Sequence, residues 1–169
     1  MEKIPSEIRK ILINKLKNYR WMGQELIDIE EELDSAPSDD NGNIKSKNKI
    51  SRKTENMAIK LTEDKRYQEI KAWKNCIEDL RIDYLNGQIY QKKNKVGRPR
   101  LYDNPELKLK YLNKRYVECG SKKINNEMVF AQLQLEGFDY SIIVFKKMID
   151  SLLYDLYKEA NLRNLINFE

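Results

Sequence analysis

The sequence predicts an all-α protein, on three observations. Only 6 Gly and 4 Pro occur in 169 residues, which leaves long stretches free of helix breakers. Apolar residues recur at alternating steps of three and four through most of the chain, the spacing of one helical face. No stretch reads convincingly as a strand, and no internal repeat is present.

The first helix is expected from Ser6 to Leu33. Its apolar positions are Leu12, Leu16, Tyr19, Met22, Leu26, Ile29 and Leu33. From Tyr19 onward they form a coiled-coil-like seam. Gly23 weakens the helix locally, by ~1 kcal/mol relative to Ala. The acidic run Glu30-Glu31-Glu32, then Asp34, opposes the negative end of the helix dipole and favours fraying there. Residues 34–50 read as a polar loop around Asp39-Asp40-Asn41-Gly42, too hydrophilic to bury surface of its own. A second helix is expected near Ser51, with Ser51 as N-cap. Met57 and Leu61 begin its stripe, and Thr62 restarts it after a kink. Ile70, Trp73, Ile77, Leu80 and Tyr84 continue the stripe, and Asn86-Gly87 ends it. Two helices with matching seams joined by a loop pair most simply antiparallel.

A basic connector follows, Lys92-Lys93-Asn94-Lys95-Val96-Gly97-Arg98-Pro99-Arg100. Asn104 caps a third helix with Pro105 at its first position, and Gly120 closes it. A short helix from Asn125 to Glu136 stops at Gly137. Asp139 is then the expected cap of a last helix from Tyr140 to about Ala160, with Phe145, Met148 or Ile149, Leu152 and Leu156 inward. The predicted organisation is a helical hairpin over 1–90, a basic connector over 91–104, and a helix-turn-helix unit over 105–169. Hydrophobic content of 40% beside 35% charged residues suggests an elongated molecule with little central core.

The chain has no histidine, which removes the commonest general base and metal ligand. Ser-His and Cys-His nucleophile systems and histidine-ligated zinc are therefore excluded. There is no phosphate-cradling glycine loop, so no enzyme is expected, and no cofactor. Cys76 and Cys119 have no ligand spacing and read as free thiols. Glu30, Glu31, Glu32, Asp39 and Asp40 raise the question of a metal-dependent nuclease. Consecutive acids on a helix point apart, so they read as a solvated charge run. No apolar run approaches the ~18 residues of a membrane span. The N-terminus lacks the apolar core of a signal peptide, so a cytoplasmic location is expected.

Net charge is +5, unevenly distributed. Residues 91–123 hold 11 basic and 3 acidic side chains, whereas residues 124–169 hold 4 and 7. A concentrated basic block is the electrostatic signature of a polyanion partner, here duplex DNA. Gly97-Arg98-Pro99-Arg100 is its sharpest feature. Proline holds the backbone extended and the flanking arginines project along it, a shape that fits the narrow minor groove of A·T-rich DNA; this resembles the core of an AT-hook. Lys92, Lys93 and Lys95 add phosphate-binding charge, as do Lys122 and Lys123. Residues Asn125 to Leu153 resemble a helix-turn-helix, with Glu136-Gly137-Phe138 as its turn and Leu133 where a small residue usually eases the helix crossing. Its second helix would place Tyr140, Ser141 and Val144 at base edges, with Lys146 and Lys147 further along. Trp21, Trp73, Tyr111 and Tyr116 sit on apolar stripes and read mostly as core.

The N-terminal amphipathic helix, the polar loop, the run Ser51-Arg52-Lys53-Thr54-Glu55-Asn56-Met57-Ala58 and the run Phe145-Lys146-Lys147-Met148-Ile149-Asp150-Ser151-Leu152-Leu153 together resemble phage late-gene transcriptional activators of the RinA/ArpU type. That resemblance implies C-terminal helices similar to sigma-factor region 4. It also implies sequence-specific DNA binding and contact with RNA polymerase. The basic insertion Gln88–Asp103 and the acidic last helix depart from the pattern. A second resemblance runs through Gly97-Arg98-Pro99-Arg100-Leu101-Tyr102, Pro105-Glu106-Leu107, Tyr111 and Cys119, which look like the start of phage small-terminase recognition domains; it implies a DNA-packaging protein that forms oligomeric rings. A reading of another class is a protein-binding inhibitor of a host enzyme, for which seam residues such as Leu26 and Ile77 would matter more than Arg98. The N-terminal hairpin is expected to serve dimerisation or partner docking.

Overall fold

The computed structural model describes residues 4–35, 49–87, 100–118 and 124–166. It is all-α, with no strand among the described residues. Among the described residues six α-helices follow in chain order: α1 (Ser6–Ser35), α2 (Lys49–Glu63), α3 (Lys65–Leu85), α4 (Pro105–Leu112), α5 (Asn126–Leu135) and α6 (Ile142–Leu162). A 3-10 turn, Leu101–Asp103, precedes α4, and a π-helical turn, Asn113–Val117, follows it. The expected loop core at 36–48 and the connector at 88–99 lie outside the described residues.

Local chemistry accounts for the helix boundaries. Asp64 separates α2 from α3: its backbone is extended and its carboxylate accepts the Tyr67 N–H at 2.8 Å, an N-cap that restarts the helix. The expected restart at Thr62 falls two residues early, since Thr62 stays inside α2 and bonds back to the Ile59 carbonyl. Asn104 caps α4 and Pro105 opens it, as the sequence predicts. The helix expected to reach Gly120 instead widens after Leu112 into the π-helical turn, which ends by Val117.

Three helices form the centre. Tyr19 meets Glu78 and Arg81, Gly23 faces Lys74, and Glu30 and Glu32 meet Tyr67 and Arg66, so α1 and α3 run antiparallel. Tyr84 reaches Asp155 and Arg163 reaches Asp79, so α3 and α6 are antiparallel as well. Arg9 on α1 pairs with Asp150 on α6 at 2.6 Å. The α1 seam (Leu12, Leu16, Tyr19, Met22, Ile29) is buried, and so are Trp73, Ile77, Leu80 and Tyr84 of α3. Leu26 and Leu33 of the same expected seam are only half-buried. Ile77, named for the docking alternative, is 1% exposed.

One continuous core joins these residues to Leu107, Tyr111 and Leu112 of α4, Val129 and Leu133 of α5, and Phe145, Met148, Leu152 and Leu156 of α6. The elongated molecule with little central core, expected from composition, gives way to a shared interior. Among the described residues most lysines and glutamates instead occupy helix outer faces. Trp73, Tyr111 and Tyr116 are buried as expected, but Trp21 is 56% exposed, with the Arg20 guanidinium 4.4 Å from its ring centre.

Cys76 lies fully inside this core, and burial pushes its thiol up from 9.0 to about 11. The unfolded thiol ionises first as pH rises, while the native thiol holds its proton. Its contribution to stability is therefore complete below pH 9.0 and is lost as pH climbs towards about 11. In a Cys119→Ser background, native protein at neutral pH should react with iodoacetamide only at the rate of unfolding, whereas urea should make Cys76 react at once. Rapid labelling of the native state would show that α3 opens locally.

Candidate nucleic-acid interface

A buried polar cluster fixes α6 against the rest of the fold. Lys108 on α4 is 1% exposed, and its ammonium donates to Asp155 at 2.6 Å with Asp103 at 3.8 Å. Tyr84 also donates to Asp155, at 3.0 Å, and Ser151 donates to Asp103 at 2.6 Å. The second oxygen of Asp103 has no hydrogen-bond partner in the structure. Burial, then the Asp155 charge, holds the Tyr84 hydroxyl well above its ordinary range. Elements α3, α4, α6 and the 3-10 turn thereby share one set of charges.

On this frame sits a helix, a turn and a helix. Asn125 caps α5 by accepting the Met128 N–H at 2.8 Å. Val129 and Leu133 face inward, and Phe130 packs on Phe145 with ring centres 5.0 Å apart. Tyr111 donates to Asn126 at 2.9 Å, tying α4 to the start of α5. After Leu135 the chain turns at Gly137, whose φ of +90° is strained for any residue with a Cβ. Phe138 is half-buried beneath the Lys110 ammonium, 4.5 Å from its ring centre, and Tyr140 packs beside it at 6.1 Å. Ser141 then caps α6, its hydroxyl accepting the Val144 N–H at 3.4 Å.

The first two turns of α6 have two faces. Phe145 and Met148 are buried, while Ile142, Ile143, Lys146 and Lys147 are exposed. At 100° per residue those four share one arc of the helix surface. No carboxylate among the described residues pairs with Lys146 or Lys147. The next acid along the face, Asp150, is held by Arg9 of α1.

Two expected site residues sit elsewhere relative to α6 than the sequence placed them. Tyr140 precedes α6 and is half-buried against Phe138, so it does not open the helix or project from it. Ser141 precedes α6 too, with its hydroxyl engaged as the cap. The expected cap, Asp139, lies two residues earlier in a turn spanning 136–141, longer than the expected Glu136-Gly137-Phe138. The sequence could not separate these capping options, since both Asp139 and Ser141 are good N-cap residues. Lys146 and Lys147 are exposed where the sequence placed them. Arg100 is partly buried and donates to the Tyr102 hydroxyl at 2.8 Å. Lys92, Lys93, Lys95, Arg98, Lys122 and Lys123 lie outside the described residues.

The basic block is also less free than its tally implies. Lys108 pairs with Asp155, Lys110 with Glu106 at 3.3 Å, and Lys114 with Glu136 at 2.5 Å. Two of these acids come from the net-acidic segment 124–169, so the charge excesses of neighbouring stretches meet in the folded molecule. The acidic run on α1 is likewise engaged: Glu30 accepts from Tyr67, and Glu32 pairs with Arg66. Among the described residues no group of acids and cysteines is arranged to hold a metal ion. No helix there is long and apolar enough to cross a membrane.

Sequence reasoning missed Ile142 and Ile143 as surface residues and the Arg9–Asp150 pair. The isoleucines could have been found by placing the cap at Ser141, because Phe145, Met148 and Leu152 then define the inner face and leave both outside it. No family model, curated protein or solved structure matches the chain.

Proposed function

We propose that this chain is a non-enzymatic regulator of phage type that binds duplex DNA, with the turn at 136–141 and the first two turns of α6 as its reading surface. The supporting observation is the exposed face carrying Ile142, Ile143, Lys146 and Lys147, anchored by a buried inner face and a polar cluster. A rigidly held helix with free cations suits entry into a major groove flanked by phosphates. The basic connector, including Lys92, Lys93, Lys95 and Arg98, would add contacts along the backbone, and RNA polymerase is the protein partner that the activator resemblance implies.

Binding to duplex DNA, followed while salt is varied, tests this reading. Affinity should fall linearly on a log–log plot as salt rises. Replacing both Lys146 and Lys147 with alanine should reduce the slope by about two and weaken binding to all sequences alike. Duplex binding that is absent at low salt would end the proposal.

The outer face of α5 favours a second reading, docking onto a protein. Met128 and Leu135 lie seven residues apart on that face and are 48% and 89% exposed. A stable complex that survives nuclease treatment and is lost in Leu135→Glu, with DNA binding intact, would support it.

A further inference from the structure

The exposed face of α6 combines cations with apolar groups in a particular order. Ile142 and Ile143 are 41% and 63% exposed in its first turn, and the lysines follow one turn later. The stretch Ile142–Met148 contains no Arg, Asn or Gln. With Lys, these are the side chains that pair bidentately with guanine or adenine edges in the major groove, and the two lysines here stand one turn beyond the start of the helix. The hydroxyl at the start of the helix, on Ser141, accepts the Val144 N–H. The first turn of α6 itself presents two exposed β-branched hydrocarbon side chains, stiff about χ1 and so fixed in direction. The base-edge group that matches hydrocarbon is the C5 methyl of thymine. The charge on the face fits the same occupant, because Lys146 and Lys147 lack carboxylate partners among the described residues and Arg9 neutralises Asp150 beyond them.

We infer that α6 recognises thymine by its C5 methyl group, with Ile143 as the principal contact, Ile142 beside it, and Lys146 and Lys147 on the adjoining phosphates. This rests on the duplex-binding reading and adds to it a base preference and the group that is read. The preference is apolar, so it should persist at salt concentrations that weaken overall affinity.

The test compares an alternating d(A-T) duplex with an alternating d(A-U) duplex, which differs by loss of every C5 methyl. The wild-type protein should bind the uracil duplex roughly three- to five-fold more weakly, the effect of one methyl group left unburied. Ile143→Ala should bring the two duplexes within experimental error of each other while leaving the salt slope unchanged. Lys147→Ala should lower the slope by about one and keep the discrimination. Circular dichroism would verify that both surface variants remain folded. Equal binding of the two duplexes by wild type, with salt dependence intact, would overturn the methyl contact and leave the duplex reading standing. Discrimination that persists in Ile143→Ala, as an effect of duplex shape would, also overturns it. Failure to bind either duplex at low salt removes both proposals.

Discussion

Replacing Lys108 with alanine should lower the unfolding free energy by about 3–5 kcal/mol, the cost of removing one member of a buried ion cluster. The ammonium is 1% exposed and lies 2.6 Å from Asp155 and 3.8 Å from Asp103. Without it, the Asp103 carboxylate, itself 5% exposed, would keep only Ser151 as a partner, and Asp155 would keep Tyr84. The loss comes less from forfeited attraction than from two carboxylates left in a poorly solvated place. A triple variant, Lys108→Met with Asp103→Asn and Asp155→Asn, should therefore recover much of the stability lost in the single variant. Urea unfolding of the two proteins would measure the difference. A loss in Lys108→Ala no larger than the ~1 kcal/mol of a surface pair would show that water reaches the cluster.

The second large effect is expected at Phe145, where substitution by alanine should cost about 3–5 kcal/mol. Its ring is 2% exposed and packs 5.0 Å from Phe130 and 5.7 Å from Tyr111, measured between ring centres. Little of the gap could be filled by relaxation, because three helices converge there. The variant also tests whether the molecule has one core. Trp73 on α3 belongs to the same buried cluster as Phe145. In a Trp21→Phe background, Trp73 emission and far-UV circular dichroism should move to lower urea together in Phe145→Ala. A Trp73 transition that stays at its original midpoint while part of the helix signal melts early would mean that α1–α3 fold apart from α4–α6.

Helices were the most legible part of the sequence. The seam of α1, the Asn104-Pro105 start of α4 and the inward stripe of α6 each follow from spacing and cap chemistry that act within a few residues. Features requiring knowledge of distant neighbours were not legible. Lys108 sits among Leu107, Leu109 and Tyr111 with no local sign that its partner is Asp155, 47 positions away. Lys114 likewise meets Glu136, which lies beyond α5 in the chain. Counting charges along the chain therefore overstated the free positive surface, since the acids that neutralise it belong to another stretch. On the candidate face, Lys146 and Lys147 were legible because charge at those spacings opposes burial. Tyr140 misled because the expected helix began too early, and that shift also hid Ile142 and Ile143.

The pair Arg9–Asp150 spans 141 positions and ties the beginning of α1 to α6. During translation α1 emerges long before the helix that lies against it. Its inner stripe, with Ile8 and Leu12 on either side of Arg9, has no complete cover until α6 leaves the ribosome. A nascent chain halted ahead of α6 would thus carry a greasy, half-wrapped helix, so that closure of the fold waits on the emergence of α6.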